Sequence, residues 1–405
     1  MNPATYICRI LTAGLLFAGI VLSVQGAEFP LPAPGNDLVG QVYTVTVREG
    51  ETLLDIAREH DLGYNEIVAA NPGVDPWLPD PGSRVTIPAR YVLPSGPRSG
   101  IVINLAEMRL YYYPPARFGE PATVMTYPIG IGQEGWATPL GKARILVKDK
   151  DPVWTVPQSI LAASIAEGDP LPRVVPPGPD NPLGKYALRL DMVGYLIHGT
   201  NKPYGVGRRI SHGCIRMYPE DIEVLFGKVA VGAAVEIINQ PYKLGLEGNA
   251  LFLESHEPVF DRGEPAPSNL PQVIRAVSAI SRAEERETVK ERVVQEASRH
   301  DGIPHRVSDV KVDTAGEDSG RGWMLQVGAF TSAENARQVA YDLDWVDVPI
   351  SVRLGLEDGY CRVLIGPFSA EWQAKDALWR IVQEGGLKGY VFPARRQGPL
   401  IHCVS

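Results

Sequence analysis

Positive charge is in short supply in this chain: 39 lysines and arginines stand against 47 aspartates and glutamates in 405 residues, a formal net charge of -8. A nucleic-acid partner would usually leave a basic patch, so that class is set aside. Long apolar runs are missing beyond Val24, and none of the later stretches approaches the roughly 20 residues that span a bilayer. No leucine-rich box precedes a cysteine where lipoprotein processing needs one, because Cys8 lies ahead of the apolar core. Cysteine itself is rare, with four in all. Only one lies near the histidines discussed below, without the tight Cys-x-x-Cys spacing that favours structural zinc.

What is present begins with an N-terminal leader. Residues 1–27 carry one basic residue, Arg9, an apolar run from Ile10 through Val24, and small residues at Gly26 and Ala27 where a peptidase would cut. The expectation is an exported, soluble mature chain. The alternative is a retained anchor, but a run of about 15 residues is short for a span. Cys8 leaves with the leader. Three cysteines then remain, the odd count of a free reactive thiol plus at most one disulfide. Whether Cys361 and Cys403 pair stays open. The length suits two to four domains, and 44% hydrophobic with 21% charged residues is ordinary globular composition.

The chemistry concentrates between His198 and Arg216. Two histidines, His198 and His212, and one thiol, Cys214, stand among small residues, with apolar runs at Tyr195-Leu-Ile and at Ile215 that read as strands delivering both ends to one place. A thiol with a pKa of about 8.5 is mostly protonated at neutral pH, so Cys214 needs an imidazole as base, and either histidine qualifies. Gly199 and Gly213 allow close backbone approach, and the amides at Gly213 and Cys214 suit an oxyanion hole. Competing readings are an inert buried cysteine or three zinc ligands. The single thiol and the crowding by histidine and glycine weigh against both.

His198-Gly199-Thr200 followed by Ser211-His212-Gly213-Cys214-Ile215-Arg216 resembles, without a gap, the signature of the L,D-transpeptidases of the YkuD type, and in particular the Gram-negative ErfK/YbiS group. The resemblance covers about residues 97–240 and implies a mainly-β catalytic domain with no cofactor. It makes Cys214 the nucleophile and His198 the base, with Ser211, His212 and Gly213 completing the catalytic set. Arg216, Gly199, Thr200, Asn201 and Tyr195 are the implied substrate-side residues. Arg216 is either a carboxylate binder or a structural cation, and the Gly199 carbonyl is a partner for an imidazole. The implied reaction releases D-alanine from a peptidoglycan tetrapeptide stem through a thioester. The acyl group then passes to a stem-peptide amine, giving a 3,3 crosslink, or to the lysine of an outer-membrane lipoprotein. Water as acceptor would make the same residues a carboxypeptidase or amidase. A non-catalytic wall-binding scaffold is the third reading, and the intact His198, Ser211 and Cys214 speak against it.

The flanks fit a multidomain chain. Residues 41–89 read as strand, helix, helix, strand, with Thr52 capping the first helix and Leu53, Ile56 and Ala57 on its apolar face. Tyr43-Thr-Val, Gly50-Glu-Thr-Leu53, Asn71-Pro72-Gly73 and Val85-Thr-Ile-Pro88 resemble a LysM domain, which implies binding to N-acetylglucosamine-containing glycans, with a plain packing module as the alternative. The proline-rich excursion 154–182 reads as either an active-site lid or a solvated insertion. Residues 241–320 read as a linker, rich in Pro, Glu and Gly to residue 270, with one charged helix over 271–300 and a flexible polar stretch after it. Residues 321–395 read as βαββαβ, an α+β ferredoxin-like module. Its Gln326-Val-Gly-Ala-Phe330 and Arg362-Val-Leu-Ile-Gly-Pro-Phe368 segments resemble the SPOR domain, which implies binding to glycan strands. Gln326, Phe330 and Arg362 are its candidate sugar contacts, or else packing and sheet-edge positions.

Overall fold

The computed structural model describes residues 26–33, 36–96, 98–115, 121–166, 168–261, 268–280, 286–309, 322–343, 346, 348–355, 358–394 and 400–402. The apolar leader 1–25 lies outside them, as does Cys403. Among the described residues no helix is long and apolar enough to cross a membrane.

A nine-stranded sheet carries the centre of the molecule. Its order runs Ala27–Pro30, Thr123–Pro128, Arg109–Tyr113, Gly100–Asn104, Ala234–Ile238, Gly141–Lys150, Tyr186–Leu190, Leu196–His198, Ile215–Arg216. Alternation dictates its faces: Ile101, Ile103, Leu110, Tyr112, Met125 and Tyr127 join Val235, Ile237, Ile197 and Ile215 in one core, while Val102, Tyr111, Tyr113 and Val124 pack on the other face. Both faces are covered, which is why Arg109-Leu-Tyr-Tyr-Tyr113 is buried at every position. Pro219–Lys228, opened by proline with Glu220 and Asp221 in its first turn, packs Ile222 and Leu225 into the first core.

The N-terminal module is Tyr43–Thr46, Leu53–Glu59, Tyr64–Ala69 and Arg84–Ile87, its two strands antiparallel around Leu53, Ile56, Leu62 and Ile67. The Thr52 hydroxyl accepts from the Asp55 N–H at 3.2 Å, and the Asp55 carboxylate accepts from the Thr52 N–H at 3.0 Å, a complete capping box. The module is welded to the central sheet. The N–H groups of Tyr64 and Asn65 donate to the carbonyls of Val206 and Gly207 at 3.2 and 3.1 Å. A Cβ on Gly207 would lie 2.2 Å from Tyr64 N, so this approach requires glycine. Arg109, fully buried, reaches across to Glu66 at 2.9 and 3.0 Å and to the Asp61 carbonyl at 2.8 Å.

Residues 241–309 depart from the linker expectation. Tyr242–Glu247, Ala250–Ser255 and His305–Asp309 form an antiparallel sheet, and two helices, Leu270–Ile280 and Arg286–Ala297, stand where one was expected. Val273, Val277, Val289 and Val293 cover that sheet. Composition hid it: the period-two series Tyr242, Leu244, Leu246 and Leu251, Leu253 outweighs the scattered prolines and glutamates. One buried cation holds it to the centre. Lys243 Nζ lies 2.5 Å from Glu107 and 2.8 Å from Glu254, donates to the Val92 carbonyl at 2.7 Å, and has no exposed side-chain surface. Glu254 also takes His256 Nε2 at 2.7 Å. The Glu107, Glu254 and His256 ligand atoms lie within 4.8 Å of one another, but an ammonium already bridges the two carboxylates.

The C-terminal module is βαββαβ: Trp323–Phe330, Ala333–Asp342, Ile350–Gly355, Cys361–Phe368, Glu371–Gly385 and Tyr390–Pro393. The fourth strand pairs the first, the first the third and the third the second, the ferredoxin-like order, and Leu400–His402 adds an edge strand that was not expected. Cys361 is disulfide-bonded. The excursion 154–182 contains a short hairpin, Trp154–Thr155 with Val174–Val175, and a helix, Gln158–Ala166.

Removing Lys243 strands two carboxylates in a dry site, a loss of about 3–5 kcal/mol for a buried pair broken on one side. Chemical denaturation of Lys243→Ala is expected to show that loss. A change under about 1 kcal/mol would mean the network is neutral without its cation.

Candidate active site

Register brings the site together. Leu196–His198 and Ile215–Arg216 lie side by side in parallel, with Ile197 opposite Ile215 and His198 opposite Arg216. Partners in register project to one face, so His198 and Arg216 share one, and Cys214 directly precedes the strand. The intervening loop must therefore return the chain in the same direction, which it does through the turn Pro203–Gly205 and the short strand Arg209–Ser211 paired with Ile131–Gly132.

His198 is almost fully buried, and its Nδ1 lies 2.6 Å from the Gly199 carbonyl. An Nδ1–H donating there leaves Nε2 as the free base. Burial first, and then the nearby Arg216 charge, push the imidazole down to about 4. The Cys214 thiol moves the opposite way. Burial pushes it up, against smaller pulls from a Leu196 backbone hydrogen bond and from Arg216. Its Sγ contacts the Gly194 carbonyl at 3.6 Å. At neutral pH the thiol and the imidazole are thus both uncharged, not a preformed thiolate–imidazolium pair.

Ser211 and Gly213 shape the nucleophile turn. The Ser211 hydroxyl donates to the Cys214 carbonyl at 2.5 Å and accepts from the Gly213 N–H at 3.2 Å. The Gly213 amide is therefore committed to Ser211, which corrects the expectation that it serves an oxyanion hole. Gly213 has φ 97°, and a Cβ there would lie 2.9 Å from the Tyr195 ring, so both backbone and space demand glycine. That contact also places Tyr195 against the turn.

Arg216 is half-buried, with its Nε buried and without a hydrogen-bond partner. Burial lowers its pKa. A guanidinium so placed is a cation held ready for an anion, which favours the carboxylate-binding reading of this residue over the structural one. His212 packs edge-on to Trp136, ring centroids 4.7 Å apart at 81°. Sequence reading missed Trp136, although a tryptophan beside Gly135 in a turn-rich loop was the available signal. Thr138 is the second support from that loop: its hydroxyl accepts from Gly132 N–H at 3.0 Å and donates to the Gly213 carbonyl at 2.9 Å. Thr200 is buried with its hydroxyl accepting from Lys202 N–H at 2.9 Å, and Asn201 is exposed. Gly199 lies against Gly184, where a Cβ would fall 3.2 Å from the Gly199 Cα.

Residues 98–237 match the YkuD family, the L,D-transpeptidase catalytic domain, residues 45–88 match LysM, and residues 319–393 match SPOR. The chain is 43% identical over 279 residues to the probable L,D-transpeptidase YcfS of Escherichia coli, covering 67% of this chain and 86% of that one. It belongs to the L,D-transpeptidase family. Two further relatives from Escherichia coli are similar: the probable L,D-transpeptidase YbiS, 41% identical over 66% of this chain and 90% of its own, and the probable L,D-transpeptidase ErfK/SrfK, 45% identical over 57% and 74%. The catalytic domain of this L,D-transpeptidase is accordingly followed by a SPOR domain and preceded by a LysM domain.

A neutral couple sets the pH response of the thiol. With the imidazole unprotonated above pH 4 to 5 and the thiol held high, the thiolate fraction rises throughout the alkaline range. Alkylation of Cys214 by iodoacetamide, followed by intact mass, is expected to keep accelerating past pH 8.5, the ordinary thiol midpoint of about 8.5. A rate that levels below pH 7 would mean a preformed ion pair and overturn this assignment.

Proposed function

We propose that Cys214 is the nucleophile and His198 the general base of acyl transfer on peptidoglycan stem peptides. The observation that carries this reading is the pairing of His198, buried and neutral, with Arg216, whose buried Nε has no partner, two residues after the half-buried Cys214. As sulfur attacks the carbonyl between the third residue and the terminal D-alanine, His198 Nε2 takes the thiol proton. It returns that proton to the departing D-alanine amine, leaving a thioester on Cys214. An acceptor amine then attacks the thioester, loses its proton to His198, and releases the thiolate, which is reprotonated. The Cys214 amide and Arg216 are the donors nearest the developing oxyanion, and Ser211, Gly213, Thr138 and His212 on Trp136 hold the turn in position.

The acceptor is the diaminopimelate amine of a second stem, giving a 3,3 crosslink. A lipoprotein lysine is the second candidate, because it presents the same primary amine. The LysM and SPOR domains would hold glycan strands on either side of the catalytic sheet. Of the SPOR-side candidates, Arg362 is engaged by Asp358 at 3.1 Å, and Gln326 accepts from the Tyr390 hydroxyl at 3.0 Å. That leaves Phe330 with exposed Tyr390 as the stacking surface. Export by a leader cleaved near Gly26 places the enzyme in the periplasm with its substrate.

Incubating residues 27–405 with purified tetrapeptide muropeptides and reading the products by mass spectrometry tests this. Loss of D-alanine with a 3,3-linked dimer is expected from the native enzyme, and neither from Cys214→Ala. Tripeptide without dimer would move the enzyme to the hydrolases. Arg216→Met is expected to lower kcat/KM by about 10²–10³, the size of losing one oxyanion or anion-binding donor; an unchanged kcat/KM would make Arg216 structural.

A further inference from the structure

Where the strand Ala27–Pro30, the LysM domain and the catalytic sheet meet, two carboxylates are buried without a cation of their own. Asp61 follows the helix Leu53–Glu59 at φ 55°, and Asp221 lies in the first turn of Pro219–Lys228; they are 6% and 1% exposed. Asp61 Oδ1 and Asp221 Oδ2 are buried and have no donor. The two carboxyls are neighbours, and burial first, then the Asp61 charge, pushes the Asp221 carboxyl up. The neighbouring cations are spoken for: Arg109 is clamped by Glu66 through two bonds, and Arg58 pairs with Glu220 at 2.8 Å. One donor does reach the pair. The main-chain nitrogen of Ala27, first residue of the edge strand Ala27–Pro30, lies 3.0 Å from Asp61 Oδ2.

We propose that the chain is cut between Gly26 and Ala27, and that the α-ammonium so freed is the missing buried cation, an ion pair to Asp61–Asp221 that locks the LysM domain onto the catalytic domain. The cut is a peptide hydrolysis. Water adds across the Gly26 carbonyl and Ala27 nitrogen, Gly26 leaves with the new carboxylate, and Ala27 keeps the nitrogen, protonated to ammonium. The small residues after the apolar leader are what an export peptidase accepts. Gly26 is buried with no room for a side chain: a Cβ on it would lie 2.0 Å from the Tyr127 ring. An ammonium offers three donors where the uncut amide offers one, and it supplies the charge that a pair of buried carboxylates lacks. Burial holds the Asp61 carboxyl up at about 7, against the pull of the Arg109 charge and of the Ala27 hydrogen bond. Asp61 belongs to the LysM side, Asp221 to the helix that follows Arg216, and Ala27 to the strand paired with Thr123–Pro128, so a single charge ties three parts of the chain.

The in-cell part of the test rests on the export reading; the recombinant part does not, and neither depends on acyl transfer. Intact mass of the protein recovered from the cell envelope of a Gram-negative expression host is expected to begin at Ala27. A different first residue overturns the proposed cut. Chains made to begin at Ala27 or at Gly26, each exposed by removal of the initiator Met, are then compared by thermal unfolding and by labelling of the α-amine with an amine-reactive ester. Since the structure already seats Gly26, the extra residue tests the position of the charge, not bulk. The Ala27 amine is expected to label at least about tenfold more slowly in the native protein than in urea, as a buried group shielded by local stability does. The chain beginning at Gly26 is expected to melt lower. In the Asp61→Asn background that difference is expected to vanish. Equal labelling in native and unfolded protein, or a difference in Tm that survives Asp61→Asn, overturns the lock; the labelling comparison stands even if Asp61→Asn fails to fold.

Discussion

The parallel pairing of Leu196–His198 with Ile215–Arg216 is the constraint on which the active site depends. His198 lies sixteen residues before Cys214 and eighteen before Arg216 in sequence, and parallel strands can be joined only by a connection that leaves the sheet and comes back. Everything between them serves that return. Gly207 allows the loop to touch the LysM helix, Arg209–Ser211 borrows a partner from Ile131–Gly132, and Gly213 turns the chain at φ 97° just before Cys214. The loop is thus packed on both sides, which is how a short, glycine-containing segment holds a thiol in position.

Electrostatics in the site follow from the same burial. His198 sits deep enough that its charged form is disfavoured, Cys214 is desolvated enough that its thiolate is disfavoured too, and the Arg216 charge adds to the first effect and opposes the second. A neutral pair with a standing positive charge close by gains most when negative charge develops on substrate.

Buried charge also organises the molecule outside the site. Arg109 with Glu66 ties the LysM domain to the sheet, and Lys243 between Glu107 and Glu254 ties the three-stranded sheet of residues 242–309 to it. Such pairs add little net stability but penalise misplacement strongly, since one partner left alone in a dry seam is costly. They make the relative placement of the modules specific where apolar contact alone would let them slide.

The proposed catalytic residues stand out in the sequence because they are contiguous: His198-Gly-Thr and Ser211-His-Gly-Cys-Ile-Arg each occupy a few adjacent positions. The strands and helices of the LysM and SPOR modules were legible for the same reason, since hydrophobic period and a capping Thr52 are local properties. Residues 242–309 were misread because composition was weighed above the alternation of Tyr242, Leu244 and Leu246. What only the tertiary structure decided were the long-range encounters: Trp136 under His212, Thr138 on the Gly213 carbonyl, Lys243 between two glutamates, and Ala27 against Asp61. Each joins residues far apart in the chain, and the identity of a polar residue says that it needs a partner, not which distant element the fold will bring to it.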